Sequence, residues 1–126
     1  MMRISDLIEM GQKRFPNVKP CRSNLIVYEQ KDGKYEIAQA CAVGFALLGL
    51  TEDGDHLAKR YITTAKAVSI LQRNGITTKQ IRQLWVINDH EGLKNAKEYA
   101  KTIQFDSPSE MRNKFIEHMG GDDDAE

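Results

Sequence analysis

One stretch governs what this chain can become. From Gln39 to Leu50 it reads Gln-Ala-Cys-Ala-Val-Gly-Phe-Ala-Leu-Leu-Gly-Leu, apolar and small on every side and without a charge. At about ten apolar residues it falls well short of the ~20 that a bilayer crossing needs, so it predicts a helix sealed inside a folded domain. The rest of the chain has to wrap around that rod. Gly44 in its interior costs roughly 1 kcal/mol of helix stability against Ala, which predicts the close approach of a neighbouring element. Gly49 is the predicted stop.

The flanking segments carry the patterns to do the wrapping. Ile4, Leu7, Ile8 and Gly11 repeat at helical spacing, Phe15 continues the stripe and Pro16 ends it. Leu25 to Gln30 and Tyr35 to Ile37 are rich in β-branched and aromatic residues, with Asp32-Gly33 between them. That order predicts a hairpin over about residues 25–38, closed by a type I′ turn whose two central residues need positive φ. A lone hairpin is marginal in water, so one face is expected to pack on the helices.

From His56 to Asn74 the residues Leu57, Tyr61, Ala65, Val68 and Leu71 form an apolar stripe opposite Lys59, Lys66 and Arg73, which predicts one amphipathic helix with Gly75 at its C′ position. Thr77 and Gln80 form a capping box, with Ile76 and Ile81 as its hydrophobic staple. The helix they open runs through Leu84-Trp85-Val86-Ile87, apolar on more than one side and therefore expected to be central, and ends in Asn88-Asp89-His90-Glu91-Gly92. Ala96, Tyr99, Ala100 and Ile103 mark a further helix, and Ser107-Pro108 opens a last one over Met111, Phe115 and Met119. The fold class expected is α+β, mainly α: a compact bundle of five to six helices with one β-hairpin. No internal repeat is present.

Composition bounds the alternatives. A chain of 126 residues fits one domain, and 40% hydrophobic with 29% charged residues are globular values that indicate neither disorder nor a membrane protein. Residues 1–119 are expected to form that domain, and 120–126 a disordered tail, because Asp122, Asp123, Asp124 and Glu126 follow two glycines with nothing to bury. The 18 cations balance 18 acids overall; without those four tail acids the excess is 18 against 14. Charge is also segregated, since Lys59, Arg60, Lys66, Arg73, Lys79 and Arg82 lie in a stretch, Leu57 to Trp85, without a single acid. The opening Met-Met-Arg-Ile-Ser-Asp lacks an export signal, so Cys21 and Cys41 are expected to be two free thiols in the cytoplasm.

Three constellations have chemistry in them. Cys41 follows a strand and opens a helix, a position that lowers a thiol pKa, and Gln39 nearby offers an oxyanion donor, a loose echo of cysteine hydrolases. His56, His90 and His118 are all remote in sequence from it, and a segment so apolar fits a small buried hydrophobe equally. Second, antiparallel packing of 56–74 against 78–88 would gather Asp53, Asp55 and His56 near Asp89 and His90, and bring His118 to the same pole, a donor set suited to a divalent cation. The same residues fit N-caps and turns, and neither loop has the spacing of a calcium site. Third, Lys59, Lys66, Arg73, Lys79 and Arg82 offer a surface for nucleic acid, and Lys94, Lys97 and Lys101 a second line on a reading helix over 94–104. A solvated helix face explains such lines as well, and no aromatic platform for single strands accompanies them.

With these pieces in order the chain resembles a family of small uncharacterised proteins of bacteria and their phages. The resemblance is carried by the N-terminal amphipathic helix, a Cys-x-x-Gly-x-Ala helix after a short strand (Cys41, Gly44, Ala46) and an apolar run closed by Asn-Asp-x-x-Gly (Asn88, Asp89, Gly92). It covers most of residues 1–105; Phe45 stands where a small residue is usual, and Lys94 where a hydroxyl cap is. The resemblance implies the same fold and no established activity.

The chain contains no Gly-rich phosphate loop, His-Glu-x-x-His or Gly-x-Ser-x-Gly, so no cofactor is expected and the weight moves from enzyme to binding. The leading expectation is a small cytoplasmic, non-enzymatic protein–protein interaction or regulatory module, of phage or mobile-element kind, with no membrane partner. The alternative is a nucleic-acid-binding protein using the Lys59–Arg82 surface, and the third reading is a cysteine- or metal-dependent enzyme. Partner and oligomeric state are left open.

Overall fold

The computed structural model describes residues 2–50, 54, 55, 57 and 62–105. The first short strand, β1 (Met2–Arg3), leads into α1 (Ile4–Arg14), where the Asp6 carboxylate accepts the Arg3 backbone N–H at 3.0 Å. Ile4, Leu7, Ile8 and Gly11 are buried, as their spacing predicts, and the Phe15 N–H closes the helix on the Gly11 carbonyl before Pro16. Then come β2 (Lys19–Pro20), β3 (Ile26–Lys31) and β4 (Lys34–Ala40). β3 and β4 are the expected hairpin: Asp32 at φ 53 and Gly33 at φ 77 are the two left-handed residues of a type I′ turn.

β2 was not foreseen. It pairs parallel to β4, with Lys19 opposite Gln39 and Pro20 opposite Ala40, which gives a three-stranded sheet of order β2-β4-β3. Pro20 fits because an edge strand leaves its missing N–H unneeded.

The apolar rod is α2 (Ala42–Gly49), and every residue in it is buried. α1 lies along α2 with the two backbones in contact. A Cβ on Gly11 would collide with the Phe45 carbonyl, and one on Gly49 with the Leu7 carbonyl. Gly44 has the close neighbour its cost implied, since the Leu25 carbonyl at the entry to β3 occupies the space a side chain would take. α2 ends at Gly49, the expected stop, and that glycine is also a second point of close approach.

Two further helices, α3 (Thr64–Arg73) and α4 (Thr78–Glu91), correct two expectations. The helix expected over 56–74 is interrupted, because Ile62 and Thr63 are not helical and α3 starts afresh with Thr63 as N-cap, its Oγ1 accepting the Lys66 N–H at 3.3 Å. Ile62-Thr63-Thr64 is a β-branched run, and the Thr63 hydroxyl offers the backbone a cap in place of another helical turn. The break resets the phase, so Ala67, Ile70 and Leu71 face inward while Ala65 is exposed. α4 is not central either. It buries Ile81, Leu84 and Asn88 and leaves Val86 49% exposed, because α2 already fills the middle.

The signals at the end of α3 and the start of α4 are met. Gly75 (φ 91) donates to the Gln72 carbonyl and Ile76 to the Leu71 carbonyl, a Schellman closure of α3. Thr77 and Gln80 exchange both capping-box bonds, at 3.0 and 3.1 Å, over the buried staple Ile76 and Ile81. Gly92 alone separates α4 from α5 (Leu93–Ala100), which buries Ala96 and Ala100. β5 (Gln104–Phe105) returns to pair antiparallel with β1, bringing the two ends of the described chain together. The architecture is mixed α and β, mainly helical. The helix expected over Met111, Phe115 and Met119 and the acidic tail lie outside the described residues.

Candidate functional site at the ends of the buried helix

A helix leaves its first N–H and last C=O groups without intrahelical partners, and a buried helix cannot give them to water. α2 opens on Cys41-Ala42-Val43 and ends on Leu48-Gly49-Leu50, so it has no Ser, Thr, Asp or Asn to cap its start and no cation to close its end. Both ends are satisfied from far along the chain.

At the N-terminus the agent is Asn88, 1% exposed. Its Oδ1 accepts the Ala42 N–H at 3.1 Å and its Nδ2 donates to the Cys21 carbonyl at 3.0 Å. The geometry continues the sheet. In the β2–β4 ladder the Cys21 N–H donates to the Ala40 carbonyl at 3.0 Å, and the next parallel rung would run from Ala42 N–H to Cys21 C=O. The Asn88 carboxamide stands between those two groups and serves both, as an inserted peptide unit would. At the other end the Arg14 guanidinium donates to the Leu48 and Leu50 carbonyls at 2.9 and 3.1 Å and pairs with Asp55. Among the described residues no buried side-chain nitrogen or oxygen lacks a partner.

Cys41 is the N-cap residue of α2 and has no exposed surface. Burial pushes its thiol up to about 12, and the N–H groups of Val43 and Gly44 beside the sulfur offset little of that. A hydrolase nucleophile has to ionise readily, so at neutral pH this protonated, enclosed thiol does not serve as one toward an outside substrate. Cys21 is half-buried, its Sγ directed at the Asn24 carbonyl at 3.4 Å, and burial followed by the charge of Asp89 raises its pKa too.

The same corner assembles the loop after β2. The Asp89 carboxylate accepts the backbone N–H of Ser23, a left-handed residue at φ 68, at 2.8 Å. Gly92 holds φ 95 and ψ 175, a region open only to glycine, and the Arg22 guanidinium lies 3.0 Å from where a Cβ on Gly92 would sit. Cys41-x-x-Gly44-x-Ala46 and Asn88-Asp89-x-x-Gly92 therefore meet in space, with Cys21, Arg22 and Ser23 as the third side. Asn88 and Asp89, adjacent at the close of the apolar run, both reach across to other elements. Sequence reasoning missed Cys21, Arg22, Ser23 and Arg14, for which no local pattern gives a signal.

The cation-binding pole does not assemble among the described residues. Asp55 sits with Arg14 at the C-terminal end of α2, while Asp89 follows Asn88 at its N-terminal end. His90 is exposed on the last turn of α4. Asp53, His56 and His118 lie outside the described residues, and no group of three or more His, Cys, Asp or Glu able to hold a metal occurs among the described ones.

The basic candidates divide. Lys66, Arg73, Lys79 and Arg82 are all exposed, and Lys59 lies outside the described residues. From Ile62 to Asn88 no carboxylate interrupts them, and neither α3 nor α4 has an acid in its first turn. The line on α5 is different. Lys97 meets Gln12 at 3.1 Å and Glu9 at 3.7 Å, and Lys101 meets Glu98 at 2.9 Å. A groove of about 350 Å³ between α1 and α5 thus mixes Lys94, Lys97 and Lys101 with Glu9 and Glu98. The expected reading helix over 94–104 also ends at Ala100 and carries its own acid, so it does not present a phosphate-facing row. No helix among the described residues is long and apolar enough to cross a membrane.

Comparison with family models, curated proteins and solved structures found no match to this chain.

Proposed function

We propose that the chain is a non-enzymatic interaction or regulatory module of the cytoplasm, of the bacterial and phage kind it resembles, built on five to six helices and one β-hairpin. Its docking face is the exposed basic side of α3 and the first turns of α4, and its partner is an acidic surface of another protein. One observation carries this reading. Cys41, the candidate nucleophile, and Asn88 are sealed inside as helix-end fittings, while Lys66, Arg73, Lys79 and Arg82 are exposed on a segment, Ile62 to Asn88, whose sequence contains no acid. Exposed cations of one sign steer an acidic partner and set the salt dependence of its binding.

The same cations support the second reading, a phosphate backbone as partner. Affinity capture from a bacterial extract, with and without nuclease, separates the two when the wild type is compared with Lys66→Glu/Arg73→Glu. Protein retained through nuclease and lost on charge reversal supports the first. Loss on nuclease, together with a salt-dependent mobility shift of duplex DNA, supports the second. Capture indifferent to both treatments refutes this face as the site.

A further inference from the structure

The two cysteines share a place in the sheet that the binding reading leaves unused. Lys19 pairs with Gln39 and Pro20 with Ala40 in parallel register, and the Cys21 N–H makes the next ladder bond to Ala40 at 3.0 Å. Cys21 and Cys41 are the next positions of that register, and partners in a parallel ladder project to the same side. At the Cys21–Ala40 bond the strands keep the ladder spacing of about 4.8 Å, and the Asn88 carboxamide parts them only beyond it. The pair therefore starts near the ~4.4–6.8 Å between α-carbons that a disulfide spans, and Cys21 is close enough to disfavour ionisation of Cys41. Asn88 clasps the backbone of both strands there, through the Cys21 carbonyl and the Ala42 N–H, and so holds the pair in place. Exposure is unequal, since Cys21 is half-buried and Cys41 fully buried.

We propose that Cys21 and Cys41 are a redox pair, which a peroxide converts into an intramolecular disulfide between the residue that follows β2 and the N-cap of α2. Cys21, the reachable thiol, acts first. Its sulfur attacks one peroxide oxygen, the O–O bond breaks, and the departing oxygen leaves as water with the thiol proton, making a sulfenic acid. The Cys41 sulfur then attacks the Cys21 sulfur, the S–O bond breaks, and the hydroxide leaves as water with the Cys41 proton. Two thiols have lost two electrons and two protons, and one peroxide has become two waters. Burial keeps both thiols protonated, so the reduced pair persists until peroxide is abundant. The bond ties the segment that holds the hairpin to the start of the core helix, and thereby couples redox state to the rigidity of the fold.

The test uses the full chain and hydrogen peroxide, followed by denaturation, maleimide labelling, intact mass and non-reducing peptide mapping. The expected product is a monomer lighter by two hydrogen atoms that takes no maleimide until reduced, yields one peptide joining Cys21 to Cys41, and melts at a higher temperature than the reduced form. Cys21→Ser, a change at a half-exposed position that leaves the core intact, should leave Cys41 reduced and shielded until the chain unfolds. Thiols that remain fully labelled, Cys21 over-oxidised beside a free Cys41, a disulfide-linked dimer, or an internal bond that lowers the melting temperature would each overturn the proposal.

Discussion

Replacing Asn88 by Ala removes the clasp at the start of the core helix, and its effect can be worked out from three groups. Ala42 is wholly buried, so its N–H loses the 3.1 Å bond to Oδ1 with no water to replace it. An unsatisfied buried donor costs about 1–3 kcal/mol. The Cys21 carbonyl loses its 3.0 Å bond in a half-buried setting where water regains part of it, so about 0.5–1.5 kcal/mol is expected there. Together the loss is about 1.5–4.5 kcal/mol, which for a domain near this size lowers the melting temperature by roughly 5–20 °C. Thermal and urea unfolding followed by circular dichroism measure it, with the urea slope unchanged if the folded state stays compact. Asn88→Leu fills a similar volume without polar atoms and should lose nearly as much, because partners and not packing are removed. A variant within about 0.5 kcal/mol of the wild type, an effect typical of an exposed surface site, would refute the reasoning.

Other expected outcomes follow from the same contacts. Gly11→Ala gains about 1 kcal/mol of helix propensity but drives a Cβ into the Phe45 carbonyl, so urea unfolding should show a net loss of about 1–3 kcal/mol; a stabilised variant would contradict the α1–α2 contact. The Cys41 thiol keeps its proton to about 12 when folded, whereas the unfolded chain releases it near the ordinary thiol value of ~8.5. The unfolded state therefore binds fewer protons between those limits, and this contribution to stability, complete below the lower one, is lost as pH rises through the window. Melting temperatures should fall more steeply above pH ~9 in the wild type than in Cys41→Ala, and equal slopes would show that the thiol is not shielded. Thr77→Ala breaks one capping-box bond at an exposed helix start and should cost about 1 kcal/mol in urea unfolding, well below the Asn88 variants.

What could be read from the sequence was what neighbouring residues decide among themselves. The Asp32-Gly33 turn, the capping box at Thr77 with its staple, and the Gly75 closure all turn on residues within five positions of each other. The stripe of α1 was legible because its partner surface, α2, is apolar all round and accepts any apolar face. The helix through 56–74 failed where two local choices compete, since Thr63 can either continue a turn or cap a new one. β2, with two residues and one of them Pro20, has too short a pattern to announce itself. The site was hardest. Asn88 stands 46 residues from the N–H it serves and Arg14 34 from the Leu48 carbonyl, and nothing in either segment says which buried backbone group will need it. The Cys41 and Asn88 motifs were visible separately, but their meeting is a fact of tertiary packing. Burial likewise reverses the effect expected of a helix start on the Cys41 thiol.

The claim beneath all of this is that α2 is a sealed core helix whose first amide is held by Asn88. Native-state hydrogen exchange, resolved at the Ala42 to Leu48 amides, addresses it directly. These amides, Ala42 included, should exchange only when the whole chain unfolds, and in Asn88→Ala the Ala42 amide should become the first of them to exchange. Rapid exchange at Ala42 in the wild type, or release of the α2 amides through local opening while α1 and α4 stay protected, would contradict the account.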